Sequence, residues 1–125
     1  MKLRTVFFAA LALIVVAFIL AVLAAASVQA RQCGMASFYC CEFHGRTTAS
    51  GERYDQWAMT AAHRTLSFGE MVRVTRTDNN VSVVVRVNDR GPYIQGRVID
   101  LSLGAATALG MVQRGLVRVC IEEHP

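Results

Sequence analysis

Lysine is almost missing from this chain of 125 residues: Lys2 is the only one, and, three histidines aside, every other basic side chain is an arginine. With Lys2 and Arg4 set aside, eleven arginines face nine acids, a net charge of +2 spread without a basic run. A nucleic-acid footprint needs a clustered basic patch or stripe, so that class is not indicated. Paired CxxC units are lacking, which argues against a structural zinc site. No glycine-rich run ends in Lys-Ser or Lys-Thr, so there is no phosphate loop. Ser50-Gly51 lacks the strand–turn–helix elbow that exposes a serine nucleophile. Beyond Ala30 there is neither a repeat period nor a low-complexity segment.

What the chain does have begins at its N-terminus. Lys2 and Arg4 lead an almost wholly apolar run from Thr5 to Ala26. Ser27-Val28-Gln29-Ala30 then offers small residues, with Val28 and Ala30 at the two selective positions. That order is expected of a secretion signal, residues 1–30, cut after Ala30 and followed by a mature domain of residues 31–125. An uncleaved anchor is the alternative, since so long an apolar run can span a bilayer. Lipidation of Cys33 is not expected, because Arg31 and Gln32 stand where a lipid-attachment signal needs small residues. The expectation is an exported protein of the periplasm or cell envelope, touching the membrane only through this segment if it is retained. Residues 31–125 suffice for one compact domain, expected to be a monomer.

All four cysteines, Cys33, Cys40, Cys41 and Cys120, lie in the exported part. An oxidising compartment favours disulfides, and four cysteines allow three complete pairings. An extended strand holds Cys33 and Cys40 too far apart to bond. A staple from Cys120 to the first-strand region is expected, with Cys33, Cys40 or Cys41 as its partner.

The rest reads as short strands separated by turns. Gly34–Tyr39 is a first strand, and Cys40–Asp55, polar and punctuated by Gly45 and Gly51, is a long loop. Trp57–Ala62 is a short extended piece. Glu70–Arg76 alternates, with Val72 and Val74 on one face. Across the Asp78-Asn79-Asn80 turn, Val81–Asn88 puts Val81, Val83, Val85 and Val87 on one face, completing a hairpin. Asn88-Asp89-Arg90-Gly91-Pro92 turns into a strand at Arg97–Ile99. Ser102 caps a short helix through Ala108 that Gly110 ends. Leu116–Ile121 is the last strand. Many short strands with one helix favour a small closed barrel, since closure removes exposed edges.

Five ordered blocks make the reading specific. They are Gly34-Met35-Ala36-Ser37-Phe38-Tyr39, Phe43 to Asp55 with its Gly45-Arg46-Thr47-Thr48-Ala49-Ser50-Gly51-Glu52 centre, Thr60-Ala61-Ala62-His63-Arg64-Thr65-Leu66, Val85-Arg86-Val87-Asn88-Asp89-Arg90-Gly91-Pro92-Tyr93, and Gly96-Arg97-Val98-Ile99-Asp100-Leu101-Ser102. In this order they resemble the rare lipoprotein A family. The resemblance implies a mainly β fold, a six-stranded double-psi β-barrel with one or two short helices. It also implies endolytic lytic transglycosylase activity on peptidoglycan glycan strands, cutting between N-acetylmuramic acid and N-acetylglucosamine and leaving a 1,6-anhydro end. No cofactor is implied. Cys40 and Cys41 depart from the family pattern, which commonly has Gly and a variable residue there. A non-catalytic, expansin-like glycan-binding or wall-loosening module is the alternative on the same barrel.

Cleaving a glycosidic bond requires a proton for the leaving oxygen. In a lytic transglycosylase the sugar's own C6 hydroxyl attacks, so one carboxyl can act first as acid and then as base. Asp100, at a strand end after Val98-Ile99, is the first candidate; its structural alternative is a cap on the following helix. Asp89 is the second, set against an Asx-turn or an ion pair with Arg90. Glu52 and His63 are expected in support, although loop carboxylates are often merely solvated and a lone histidine often satisfies a carbonyl. For substrate binding, Asp55 could meet sugar hydroxyls, and Tyr54, Trp57 and Tyr93 could offer flat faces to pyranose rings. Arg46 and Arg90 could pair with the muramyl carboxylate.

Overall fold

A computed structural model of the chain describes residues 2–26 and 30–125. Ser27, Val28 and Gln29, on which the expected cleavage site rests together with Ala30, lie outside the described residues. Helix α1, Lys2–Ala26, is long and apolar enough to cross a membrane, a property that secretion signals share. Its described side chains are exposed.

The remaining elements are β1 (Gln32–Phe38), β2 (Thr60–Ala62), β3 (Met71–Arg76), β4 (Ser82–Asp89), β5 (Arg97–Leu101), α2 (Leu103–Ala108) and β6 (Val117–Glu123). The six strands close into a barrel in the order β1-β5-β2-β4-β3-β6. Consecutive strands β3 and β4 pair antiparallel, with Val72 opposite Val85 and Val74 opposite Val83, as the alternating pattern predicts. The other neighbours are distant in sequence. β1 runs parallel to β5, β2 runs parallel to β4, and β2 joins β5 antiparallel. Those two parallel pairs, interlocked through β2 and β5, make the double-psi barrel.

Ala36, Val72, Val74, Val85, Val87, Ile99, Leu101 and Val119 are sealed in its core. Gly34 has no room for a side chain, since a Cβ there would stand 2.5 Å from Val98 Cγ1. Below the barrel wall, Ser102 caps α2 by accepting from the Ala105 amide. Gly110 at φ +72° closes a Schellman end, in which the Gly110 and Met111 amides reach Thr107 and Ala106.

Several boundaries differ from the sequence reading. β1 starts two residues before Gly34 because Gln32 and Cys33 pair with Ile121 and Cys120 of β6. Only Thr60–Ala62 of the Trp57–Ala62 piece is strand. The expected loop Cys40–Asp55 holds a 3-10 turn at Cys41–Phe43 and an isolated bridge between Thr47 and Arg53. Among the candidate partners of Cys120, the disulfide takes Cys33, directly opposite it in register. Cys40 and Cys41 are free thiols.

Candidate active site

β2 lies between the two strands that carry the candidate acids. Ala62 at its end is in register with Asp89 of β4 on one side and with Asp100 of β5 on the other. The β2–β4 ladder slips at this point: Ala61 faces Val87 and Ala62 faces Asp89, leaving Asn88 over. Bulges of this kind re-aim side chains beside functional sites. The result is an open cleft of about 380 Å³ lined by Tyr39, Phe43, Arg46, Thr47, Ala62, Asp89, Arg90 and Asp100.

Asp100 is half-buried in this cleft, and Ser37 of β1 donates a hydrogen bond to its Oδ1. Among the described residues no donor reaches Oδ2. The helix-capping alternative does not apply, because Ser102 fills that position. Asp89 Oδ1 accepts from the amides of Ala49 (3.0 Å) and of its chain neighbour Arg90 (2.9 Å), which ties down the loop after β1. It makes no ion pair with Arg90.

Arg90 points elsewhere. Its Nη1 donates to the carbonyls of His63 (3.1 Å) and Leu66 (2.8 Å), and its guanidinium covers the Phe68 ring at 4.0 Å. Those bonds occupy a donor that a substrate carboxylate would use. Arg46 is exposed at the cleft, stacked on Phe43 at 5.4 Å with no ion pair among the described residues.

Glu52 and His63 are not brought into the cleft. Glu52 forms a two-pronged ion pair with Arg86, both contacts 2.9 Å, and accepts from Asn88 Nδ2 at 2.6 Å. The Arg86 and Asn88 bonds hold its carboxyl below the usual range, so it stays ionised. Asn88, left over by the bulge, is thereby joined to the loop. His63 is buried; its Nδ1 accepts from the Thr65 and Leu66 amides, and Nε2 meets Gln32 Oε1 at 2.9 Å. Burial, then Arg64 and Arg90, lower its pKa and keep it neutral. Both residues hold the walls of the site.

The aromatic candidates divide. Tyr54 is only 2% exposed; its hydroxyl donates to the Tyr39 carbonyl and accepts from the Leu103 amide, a core role. Trp57 and Tyr93 are 65% and 76% exposed and are not among the residues that line the cleft. Asp55 accepts from the Trp57 amide at 3.0 Å and so shapes the turn that presents the indole. Tyr39 was missed by the sequence reading. It lines the cleft, stacks on Tyr54 at 4.5 Å, and its phenol is raised by burial and then by Asp89, Tyr54 and Asp100. Its hydroxyl lies near Thr60 without a well-formed hydrogen bond. The available signal was its position two residues beyond Ser37, at the end of the first strand.

These features define a double-psi β-barrel with an acidic, aromatic-edged cleft at the ends of its central strands. A family model described as "Lytic transglycolase" matches residues 31–121, and the chain belongs to that family. It is 55% identical over 92 residues to the endolytic peptidoglycan transglycosylase RlpA of Pseudomonas aeruginosa, covering 74% of this chain and 27% of that protein. To the protein of the same name from Vibrio cholerae it is 56% identical over 89 residues, covering 71% of this chain and 34% of that one. The chain thus spans about a quarter to two fifths of the curated relatives it matches. The apo expansin of Clavibacter michiganensis shares the fold at TM-score 0.61 and 22% identity, covering 77% of this chain and 51% of that one.

Proposed function

We propose that this barrel is an endolytic peptidoglycan lytic transglycosylase that cleaves MurNAc–GlcNAc β-1,4 bonds of glycan strands in wall remodelling. The observation that carries the reading is the cleft shared by Asp89 and Asp100, in a chain whose family and relatives bear that activity in their names. Asp100 acts as acid and then base. It protonates the bridging oxygen as the C1–O4 bond breaks, then takes the C6 hydroxyl proton as that oxygen closes on C1. No water is activated. Ser37 fixes one Asp100 oxygen and leaves the other for the proton. Asp89, one strand beyond Ala62, adds negative charge that favours the positive character developing at C1. Arg46 meets the muramyl carboxylate, and Trp57 and Tyr93 offer faces to sugar rings. Residues 1–30 direct export as a signal or remain as an anchor, leaving residues 31–125 as the working domain in the cell envelope.

The test incubates the full chain, in mild detergent, with intact peptidoglycan and with glycan stripped of stem peptides, and weighs the products. Anhydro-muramyl ends are expected, and Asp100→Asn should lower turnover by about 10²–10⁴-fold while leaving the fold intact. Hydrated reducing ends would instead make the protein a hydrolase. Uncut glycan that nevertheless binds would make it an expansin-like module.

A further inference from the structure

Cys40 and Cys41 stand outside the barrel staple and outside the proposed chemistry. They are adjacent in sequence, their Sγ atoms are 3.1 Å apart, and Cys41 is exposed. They begin the short turn between two cleft-lining aromatics, Tyr39 and Phe43, whose rings meet edge to face at 6.2 Å. Two backbone bonds hold that turn, from the Phe43 amide to the Cys40 carbonyl and from the His44 amide to the Cys41 carbonyl. Metal chelation is the weaker use of the pair. Two thiolates on one zinc sit about 3.8 Å apart, so these would have to spread, and the third donor, Glu42, is 4.0 Å from Cys41 Sγ. A disulfide needs no third donor: the two sulfurs close from 3.1 Å to about 2.05 Å.

We infer that Cys40 and Cys41 form a redox-modification site on the rim of the cleft, closing to a vicinal disulfide by exchange with an external disulfide. Cys41, the exposed thiol, loses its proton and attacks one sulfur of the external disulfide, releasing one thiolate and leaving a mixed disulfide. Cys40, losing its proton in turn, attacks the Cys41 sulfur and expels the second thiolate. The protein loses two electrons and two protons; the external disulfide gains them and departs as two thiols. Neighbouring Cα atoms lie about 3.8 Å apart, shorter than the usual disulfide span. The closed ring therefore returns readily to the dithiol when small thiols are supplied. Ring closure reshapes the Cys40–Cys41 peptide and breaks the two bonds that hold the turn, displacing Phe43 and its stacked partner Arg46 from the cleft mouth. Control of glycan access by this displacement rests on the reading of the cleft given above; the modification itself does not.

The experiment treats the full chain, in mild detergent, with a chromophoric aromatic disulfide and follows thiol release, intact mass and amide NMR shifts. The expected result is release of two aromatic thiols per chain, with no retained adduct. The product should be a monomer lighter by two hydrogens, with shifts centred on Phe43, His44 and Arg46 that a small dithiol reverses. Cys40→Ser and Cys41→Ser should each release one thiol and keep one adduct. Two stable adducts on the parent chain, a covalent dimer, or closure without any shift at Phe43 would each overturn the inference. If the closed form appears as expected but neither form binds glycan, the glycan reading fails and the thiol site stands.

Discussion

Removing the Cys33–Cys120 bond should take away much of the barrel's stability, and the size of the effect follows from where the bond sits. Its two cysteines are 87 residues apart in sequence yet directly opposite in the β1–β6 ladder. In the folded state that ladder persists without the bond, because Gln32 still meets Ile121 and Ala36 still meets Val117. The loss therefore falls on the unfolded chain, which regains the freedom of a loop of that length. The chain-entropy relation puts this at about 4–5 kcal/mol. A domain of this size is stable by about 5–15 kcal/mol in all. The expected fall in melting temperature is about 20 °C. Urea unfolding of residues 31–125, parent against Cys33→Ala/Cys120→Ala, measures it. A loss under about 1 kcal/mol would refute the argument, and so would an equal loss from Cys40→Ser/Cys41→Ser, whose thiols close no long loop.

Three further perturbations address the walls of the site. Gly104→Ala should destabilise the protein by about 1–3 kcal/mol and shift the Trp57 fluorescence, since the new Cβ would stand 2.5 Å from the rigid Trp57 carbonyl oxygen; an unchanged melting curve would contradict the close approach. His63 has a folded-state pKa below its unfolded value near 6.5, so the unfolded chain binds the extra proton first. Stability should fall as pH drops from about 6.5 toward the folded value, and a His63→Gln chain with the same slope in that window would remove this histidine as the cause. Glu52 is depressed by Arg86 and Asn88, so its contribution is present above its unfolded pKa and is lost as pH falls through the lower folded value. With 40% of its side chain exposed, Glu52→Gln should cost under about 1 kcal/mol, read by urea midpoints at neutral pH; a loss of several kcal/mol would mean that the carboxylate is far less solvated than its exposure implies.

Periodicity made the β3–β4 hairpin legible, because one valine face has to be buried and a one-residue slip would expose it. The Ser102 cap and the Gly110 stop were legible for the same local reason: each residue satisfies backbone groups within its own turn. A staple from the first-strand region to Cys120 was legible, but the choice of Cys33 was not, since it depends on the register of β1 against β6. Arg76 was hidden too. On the alternating pattern it is one more strand arginine, yet it is 6% exposed, paired with Asp78 and donating to the Leu109 and Gly110 carbonyls at the end of α2. Glu52 and His63 were visible as motif residues, but the motif does not say whether they face the cleft or brace it. Their partners, Arg86, Asn88 and Gln32, lie 31 to 36 residues away and become neighbours only after the barrel closes.

The site's geometry depends on β2 more than on either acid. Two carboxylates eleven residues apart could lie on one hairpin and face opposite ways. Here a three-residue strand is inserted between their strands, parallel to one and antiparallel to the other. Strands are about 4.8 Å apart, so backbones two strands away are separated by roughly 10 Å, wide enough for a sugar to enter between their side chains. Ala62 has only a methyl group to place in that gap. The slip that leaves Asn88 over sets Asp89 rather than Asn88 opposite Ala62, and frees the Asn88 amide to bond Glu52. The bulge, the alanine and the Glu52 brace therefore act as one device. Ala62→Val should test it, narrowing the gap while keeping strand propensity. Glycan binding should weaken at least tenfold in calorimetric titration, with a small shift in melting temperature; binding equal to the parent's would show that the glycan does not pass between Asp89 and Asp100.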